Sequence, residues 1–98
     1  MVILKTGVKL SGLQPQIVLA IIVAEGIWGG EPLTITSVSD GLHSHTSLHY
    51  SGNGVDFRTR DIEDPAGKTA RLKAALGVDF DVILESDHVH LEYQPRRA

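Results

Sequence analysis

The chain has 98 residues, 42% apolar and 21% charged, with 12 acidic against nine basic side chains and a net charge of −3. That length and composition fit one folded domain over residues 1–98, and an acidic balance with no basic stripe excludes a nucleic-acid-binding class. With no cysteine there are no disulfides and no thiolate ligands, so any metal must be held by imidazole and carboxylate, a donor set that suits zinc.

Residues 1–10 alternate weakly and fit a short strand or an extended arm. Pro15 belongs in the first turn of a helix, and residues 15–27 read as a helix that is apolar nearly all round and therefore buried. Its β-branched residues Ile17, Val18, Ile21, Ile22 and Val23 also suit a strand, but length and the Pro15 start favour the helix. Gly26, Gly29 and Gly30 close it, with Trp28 packing over that end. The apolar run within it, residues 17–24, is eight residues long, and a bilayer span needs about twenty. It also lacks the basic leader and cleavage site of a secretory signal. The expectation is a protein without a membrane span, made in the cytoplasm, whose mature form begins at or near Met1.

Residues 33–38 read as a strand by alternation and Thr/Ile content. Residues 39–51 are polar, rich in His and Ser, and read as a long loop; loops of that length are commonly functional, and this one holds His43, His45 and His49. Residues 52–59 form a further strand, in which Gly52 and Gly54 suggest a bulge or close backbone approach. Asp64-Pro65 supplies an N-cap and a first-turn proline for a helix over 65–76, with Leu72, Ala75 and Leu76 as its buried stripe and Gly77 closing it. Residues 78–84 and 89–93 are strands joined tightly through 85–87. This order predicts an α+β domain, a largely antiparallel sheet with helices packed on one face.

Two stretches concentrate chemistry: Ser47-Leu48-His49-Tyr50-Ser51-Gly52-Asn53-Gly54-Val55-Asp56, and Glu85-Ser86-Asp87-His88-Val89-His90. A catalytic zinc site takes three His or Asp/Glu ligands and leaves a fourth position for water. His49 and Asp56 lie seven positions apart, a spacing that a surface His and a strand-end Asp explain equally well. His88 and His90, two apart on a strand, share a face; one suffices as a ligand, and a satisfied core histidine is the default for the other.

The first stretch fits Ser-x-His-x-x-Gly-x-Ala-x-Asp, with Gly54 in place of the Ala, and so resembles the D-Ala-D-Ala metallopeptidases. The second resembles their closing segment, in which an acidic residue stands three positions before a ligand His. Ser47-Leu48-His49-Tyr50, with Gly52 and Val55-Asp56, is also similar to the hedgehog signalling domain, which shares that fold. The resemblance covers residues 33–93. It implies a hedgehog/DD-peptidase fold and one Zn2+ held by His49, Asp56 and His90, with Asp87 as general acid–base. Glu85 and His88 have the same spacing as Asp87 and His90, which leaves a second register open. In the first register Glu85 orients His88 or a water.

His43, six before His49, is either a donor to a developing oxyanion or a solvated loop His. No Arg lies between Leu33 and His49, where a substrate-carboxylate clamp is usual; Arg58 and Arg60 are candidate replacements, with Ser47 and His88 as further substrate contacts. The implied activity is hydrolysis of peptidoglycan stem peptides, as a D-Ala-D-Ala carboxypeptidase or an L-Ala-D-Glu endopeptidase, with an endolysin-like, phage-related origin. The rival implication is a hedgehog-like zinc-binding module without turnover, serving recognition or assembly.

Overall fold

A computed structural model describes residues 1–39 and 53–95. The elements are β1 (Val2–Leu4), α1 (Pro15–Trp28), β2 (Leu33–Ser39), β3 (Gly54–Arg58), α2 (Pro65–Leu76), β4 (Phe80–Leu84) and β5 (His88–Tyr93). They build one five-stranded sheet in the order β1-β2-β3-β5-β4. β1 runs parallel to β2, and every other neighbouring pair is antiparallel. This is the α+β architecture expected from the sequence.

Both helices start at a proline, whose missing N–H is no loss in a first turn. α1 ends at Gly29, where φ is 66°, a left-handed value that favours glycine; the Gly29 N–H donates to the Glu25 carbonyl at 3.1 Å. Gly26, expected to help close the helix, lies inside it. α2 is capped by Asp64, whose carboxylate accepts from the Gly67 N–H at 3.1 Å. Asp64 reaches that position at φ 51°, an uncommon conformation for a residue with a Cβ.

The core lies between the sheet and the helices. Ile17, Ala20, Ile21, Ala24 and Trp28, at helical spacing on α1, bury against Leu33, Ile35, Val55, Phe57, Val89 and Leu91 of the sheet. Trp28 meets Phe57 edge to face with ring centroids 5.7 Å apart. A fully buried side chain of the size of Phe57 stabilises the fold by about 1.5–3 kcal/mol relative to exposure.

Two expectations about the helices are corrected. α1 is apolar all round but is not buried all round: Leu19 is 61% and Ile22 59% exposed, and Val18 lies beside them on the outer face. The sheet covers one side of α1 and the described residues leave that outer face open. On α2 the stripe is Leu72 with half-buried Leu76, while Ala75 is exposed and Lys68 is buried. The Lys68 ammonium is tolerated there because it is paired. Its Nζ stands 2.5 Å from Glu31 Oε1 and donates to the Glu63 carbonyl. The Glu63 N–H donates to Glu31 Oε2 at 2.8 Å, so Glu31 clasps the entry of α2 to the end of α1. Lys68, together with the Glu63 N–H, holds the Glu31 carboxyl below its ordinary range.

No helix among the described residues is long and apolar enough to cross a membrane.

Candidate metal centre

On β3 and β5 successive side chains point to opposite faces of the sheet. Val55, Phe57, Val89 and Leu91 face the helices and are fully buried. The residues between them, Asp56 and Arg58 on β3 and His88, His90 and Glu92 on β5, occupy the opposite face and are half-buried. The strand register sets Asp56 opposite His90 and Arg58 opposite His88.

Across that first pair, His90 Nδ1 lies 2.7 Å from Asp56 Oδ1. The other ring nitrogen, Nε2, lies 3.1 Å from Glu92 Oε1, so the imidazole is held between two carboxylates. The second oxygen of Asp56 accepts from Ser37 Oγ at 2.7 Å. Ser37 reaches it because β2 slips register against β3 between Ile35 and Ser37. His88 Nε2 is 3.8 Å from Asp56 Oδ1, and its Nδ1 is 2.7 Å from Asp87 Oδ1. An Asp87–His88–Asp56–His90–Glu92 chain thus runs along the sheet face opposite the helices.

The hydrogen bond that the His90 ring donates to Asp56 pushes its pKa up to about 9; burial opposes this, and Glu92 adds to it. For Asp56 burial acts upward, but the hydrogen bonds from His90 and Ser37 win and hold the carboxyl below its ordinary 3.8.

These donors fit the zinc site that the sequence suggests. A hard carboxylate oxygen and an imidazole nitrogen converge from adjacent strands, 2.7 Å apart, and these two residues would contribute two of the ligands such an ion needs. Glu92 on the far nitrogen of His90 is the carboxylate–histidine arrangement that fixes a ligand ring's tautomer and raises its basicity. Among the described residues no three His, Asp or Glu side chains converge on one point. The third expected ligand, His49, lies outside the described residues, as do His43, His45 and Ser47.

The remaining candidates are placed as follows. His88 is no core histidine: it is outward-facing and about as exposed as His90. The carboxylate on His88 is Asp87 and not Glu85, which is exposed at the start of the turn, its N–H donating to the His88 carbonyl at 2.8 Å. Arg58 lines a cleft of about 320 Å³ with Lys5, Thr36, Arg60, Asp87 and His88. A larger cleft of about 530 Å³ between residues 5–11 and β2 shares Lys5 and Thr36 with it. Sequence reasoning missed Ser37, Glu92 and Lys5. Glu92 was within reach, since it stands two residues beyond His90 on the same strand face.

The fold and the site together define a small α+β domain that presents paired Asp and His donors on the sheet face opposite its helices. Its sequence is similar to those of hedgehog proteins: 40% identical over 67 residues to the Indian hedgehog B protein of Danio rerio, and 38% over 66 residues to the Indian hedgehog protein of Gallus gallus. The Sonic hedgehog protein of Danio rerio is 35% identical over 66 residues. These alignments cover 64–65% of this chain but 16% of each relative, so the chain spans about a sixth of their length. No protein-family model and no solved structure matches the chain.

Proposed function

We propose that this domain is a zinc-dependent peptidase of the hedgehog/DD-peptidase type, acting on peptidoglycan stem peptides as a D-Ala-D-Ala carboxypeptidase or an L-Ala-D-Glu endopeptidase. The observation that carries the reading is the meeting of Asp56 and His90 across one rung of the sheet, with Glu92 behind the histidine. Asp56, His90 and His49 hold the ion. When bound, zinc polarises a carbonyl and brings the pKa of its water towards neutrality.

The proton chemistry belongs to Asp87. Asp87 fixes His88 through Nδ1 and leaves Nε2 turned towards Asp56. A proton is taken up and returned at Asp87 as general acid–base, with His88, held by that carboxylate through Nδ1, contacting substrate. Glu85 has the lesser part, His43 donates to the oxyanion, and Ser47 and Arg58 contact substrate.

A second reading is a hedgehog-like zinc-binding module without turnover. The similarity to hedgehog proteins favours it, and so does Asp87, whose side chain is 84% exposed and therefore open to solvent.

The test is metal analysis of chelated and zinc-reloaded protein, followed by incubation with stem peptides and product identification by mass. The expected result is one zinc per chain, lost in His90→Ala. Asp87→Asn should keep zinc and lose roughly a hundredfold in rate, and Glu85→Gln should lose less. The reverse ranking would assign the Glu85–His88 register. Zinc without hydrolysis of any stem peptide would favour the module, and absence of stoichiometric zinc would sink both readings.

A further inference from the structure

We infer that the outer face of α1 is a self-association surface, on which a second copy of this chain packs its own α1 antiparallel about a two-fold axis. A helix that is apolar all round is ordinarily covered all round. Here the core covers one side and leaves Val18 44%, Leu19 61% and Ile22 59% exposed. On α2 the exposed positions include Arg71 and Lys73, charged side chains that water solvates well. On α1 they are Pro15, Val18, Leu19, Ile22 and Gly26, with no charged or polar side chain among them.

The spacing of that face selects its occupant. Pro15, Leu19, Ile22 and Gly26 follow one another at intervals of four, three and four, the seam of a helix that packs along another helix. The seam is symmetric about its own middle. Turned end for end, a second α1 sets Leu19 against Ile22 of the other copy and Pro15 against Gly26 of the other copy. Each of these contacts then occurs twice, as a two-fold axis requires. Bulky side chains meet at the centre, and the proline ring at each end meets a residue that has no side chain. Among the described residues nothing lies within 4 Å of where a Cβ on Gly26 would stand, so the notch is free to receive that ring.

Charge favours the antiparallel arrangement over the parallel one. Glu25 is the one charged residue of α1, and it lies on the flank of the seam with its Oε2 3.0 Å from the Met1 amine. In the end-for-end alignment Glu25 falls opposite Gln16 of the second copy, whose amide can donate to a carboxylate. The two Glu25 side chains then stand about nine residues apart along the axis, roughly 13 Å. A parallel pair would set Glu25 against Glu25 and bring like ends of the two helix dipoles together. The contact is small. A helix of this length offers a strip roughly 21 Å long and 10 Å wide, against about 800 Å² buried on each side of a stable interface. The pair is therefore weak and reversible, and it forms at high concentration. Because α1 packs on the sheet face opposite Asp56 and His90, the contact takes up neither residue.

The test is sedimentation velocity of the whole chelated chain from about 1 µM to about 1 mM. The unmutated chain should pass from monomer to dimer across that range and form nothing larger. Leu19→Glu and Ile22→Lys, each alone, should raise the midpoint at least about tenfold, because each places an unpaired charge in the seam. Circular dichroism and zinc uptake should stay unchanged in both. An equimolar mixture of the two variants should recover the dimer, since the carboxylate on one copy meets the ammonium on the other. A monomer at the highest concentration, or a dimer that survives both substitutions, would overturn the surface, and growth into larger assemblies would overturn the two-fold symmetry. A mixture that stays monomeric would overturn the antiparallel alignment. Should either variant fail to fold, a mixture of isotope-labelled and unlabelled unmutated chain supplies the second measurement. Overhauser contacts between Leu19 of one copy and Ile22 of the other are expected where dimer predominates, and their absence there would overturn the proposal.

Discussion

The two faces of strands β3 and β5 differ by a single step along the chain and by almost everything else. Val55, Phe57, Val89 and Leu91 are fully buried under the helices, whereas Asp56, Arg58, His88, His90 and Glu92 share the opposite, half-buried face. Alternation on a strand therefore divides the labour: one face stabilises the sheet and the other holds titratable groups that full burial would penalise. A domain of this size has little stability to spare, and the division lets the polar face vary without emptying the core.

The sharpest way to break that comparison is Phe57→Ala. Truncating a buried phenylalanine costs about 3–5 kcal/mol, to be read from urea unfolding of the chelated protein. A loss below about 1 kcal/mol would mean that the helix-covered face is not what holds the sheet. A smaller effect, confined to the polar face, is expected from Glu92→Gln. Removing a carboxylate behind a ligand histidine weakens metal affinity about 10–100-fold, measurable by competition with a coloured chelator, while metal-free unfolding stays within about 0.5 kcal/mol. Unchanged zinc affinity would reduce Glu92 to a rim residue.

The smallest expected effect is a pH dependence of the chelated protein, because the groups are partly exposed and screened. His90 faces Asp56 and Glu92, with His88 beside Asp56, and its pKa is raised from 6.5 to about 9. Its stabilisation is thus complete below about 6.5 and lost as pH rises through about 9. Asp56 is shifted the other way, so its share is present above its ordinary 3.8 and lost as pH falls through the lower folded value. Unfolding midpoints measured from pH 6 to 10 should decline in the unmutated protein more than in His90→Gln. Parallel declines would show that the pair does not contribute.

Legibility in the sequence followed the reach of each cause. α1 was legible because Pro15 and Gly29 punctuate it locally, and α2 because Asp64 and Gly77 do the same. Which side of α1 would be covered was not legible: its pattern is apolar all round, and the sheet alone decides that Leu19 and Ile22 stay outside. Lys68 was equally hidden, since its burial depends on Glu31, far away in sequence. At the site, a two-residue spacing placed His88 and His90 on one face and should also have recruited Glu92. Ser37 escaped because the irregularity in β2 shifts it against Asp56, and alternation counts fail across a bulge. The pairing of Asp87 with His88 needed the turn geometry that sequence spacing does not contain.

Asp56 and His90 lie 34 positions apart and meet only when β3 and β5 pair in a single alignment. A slip of one residue would turn Val89 or Leu91 outward and drive His90 under the helices. If the site binds a cation as proposed, donor convergence would report correct alignment: a misaligned β3–β5 pair would bring no two donors together, and a cation captured during refolding would select molecules whose strands have docked correctly. The yield of metal-loaded protein after dilution from denaturant would then measure the accuracy of strand alignment as well as affinity.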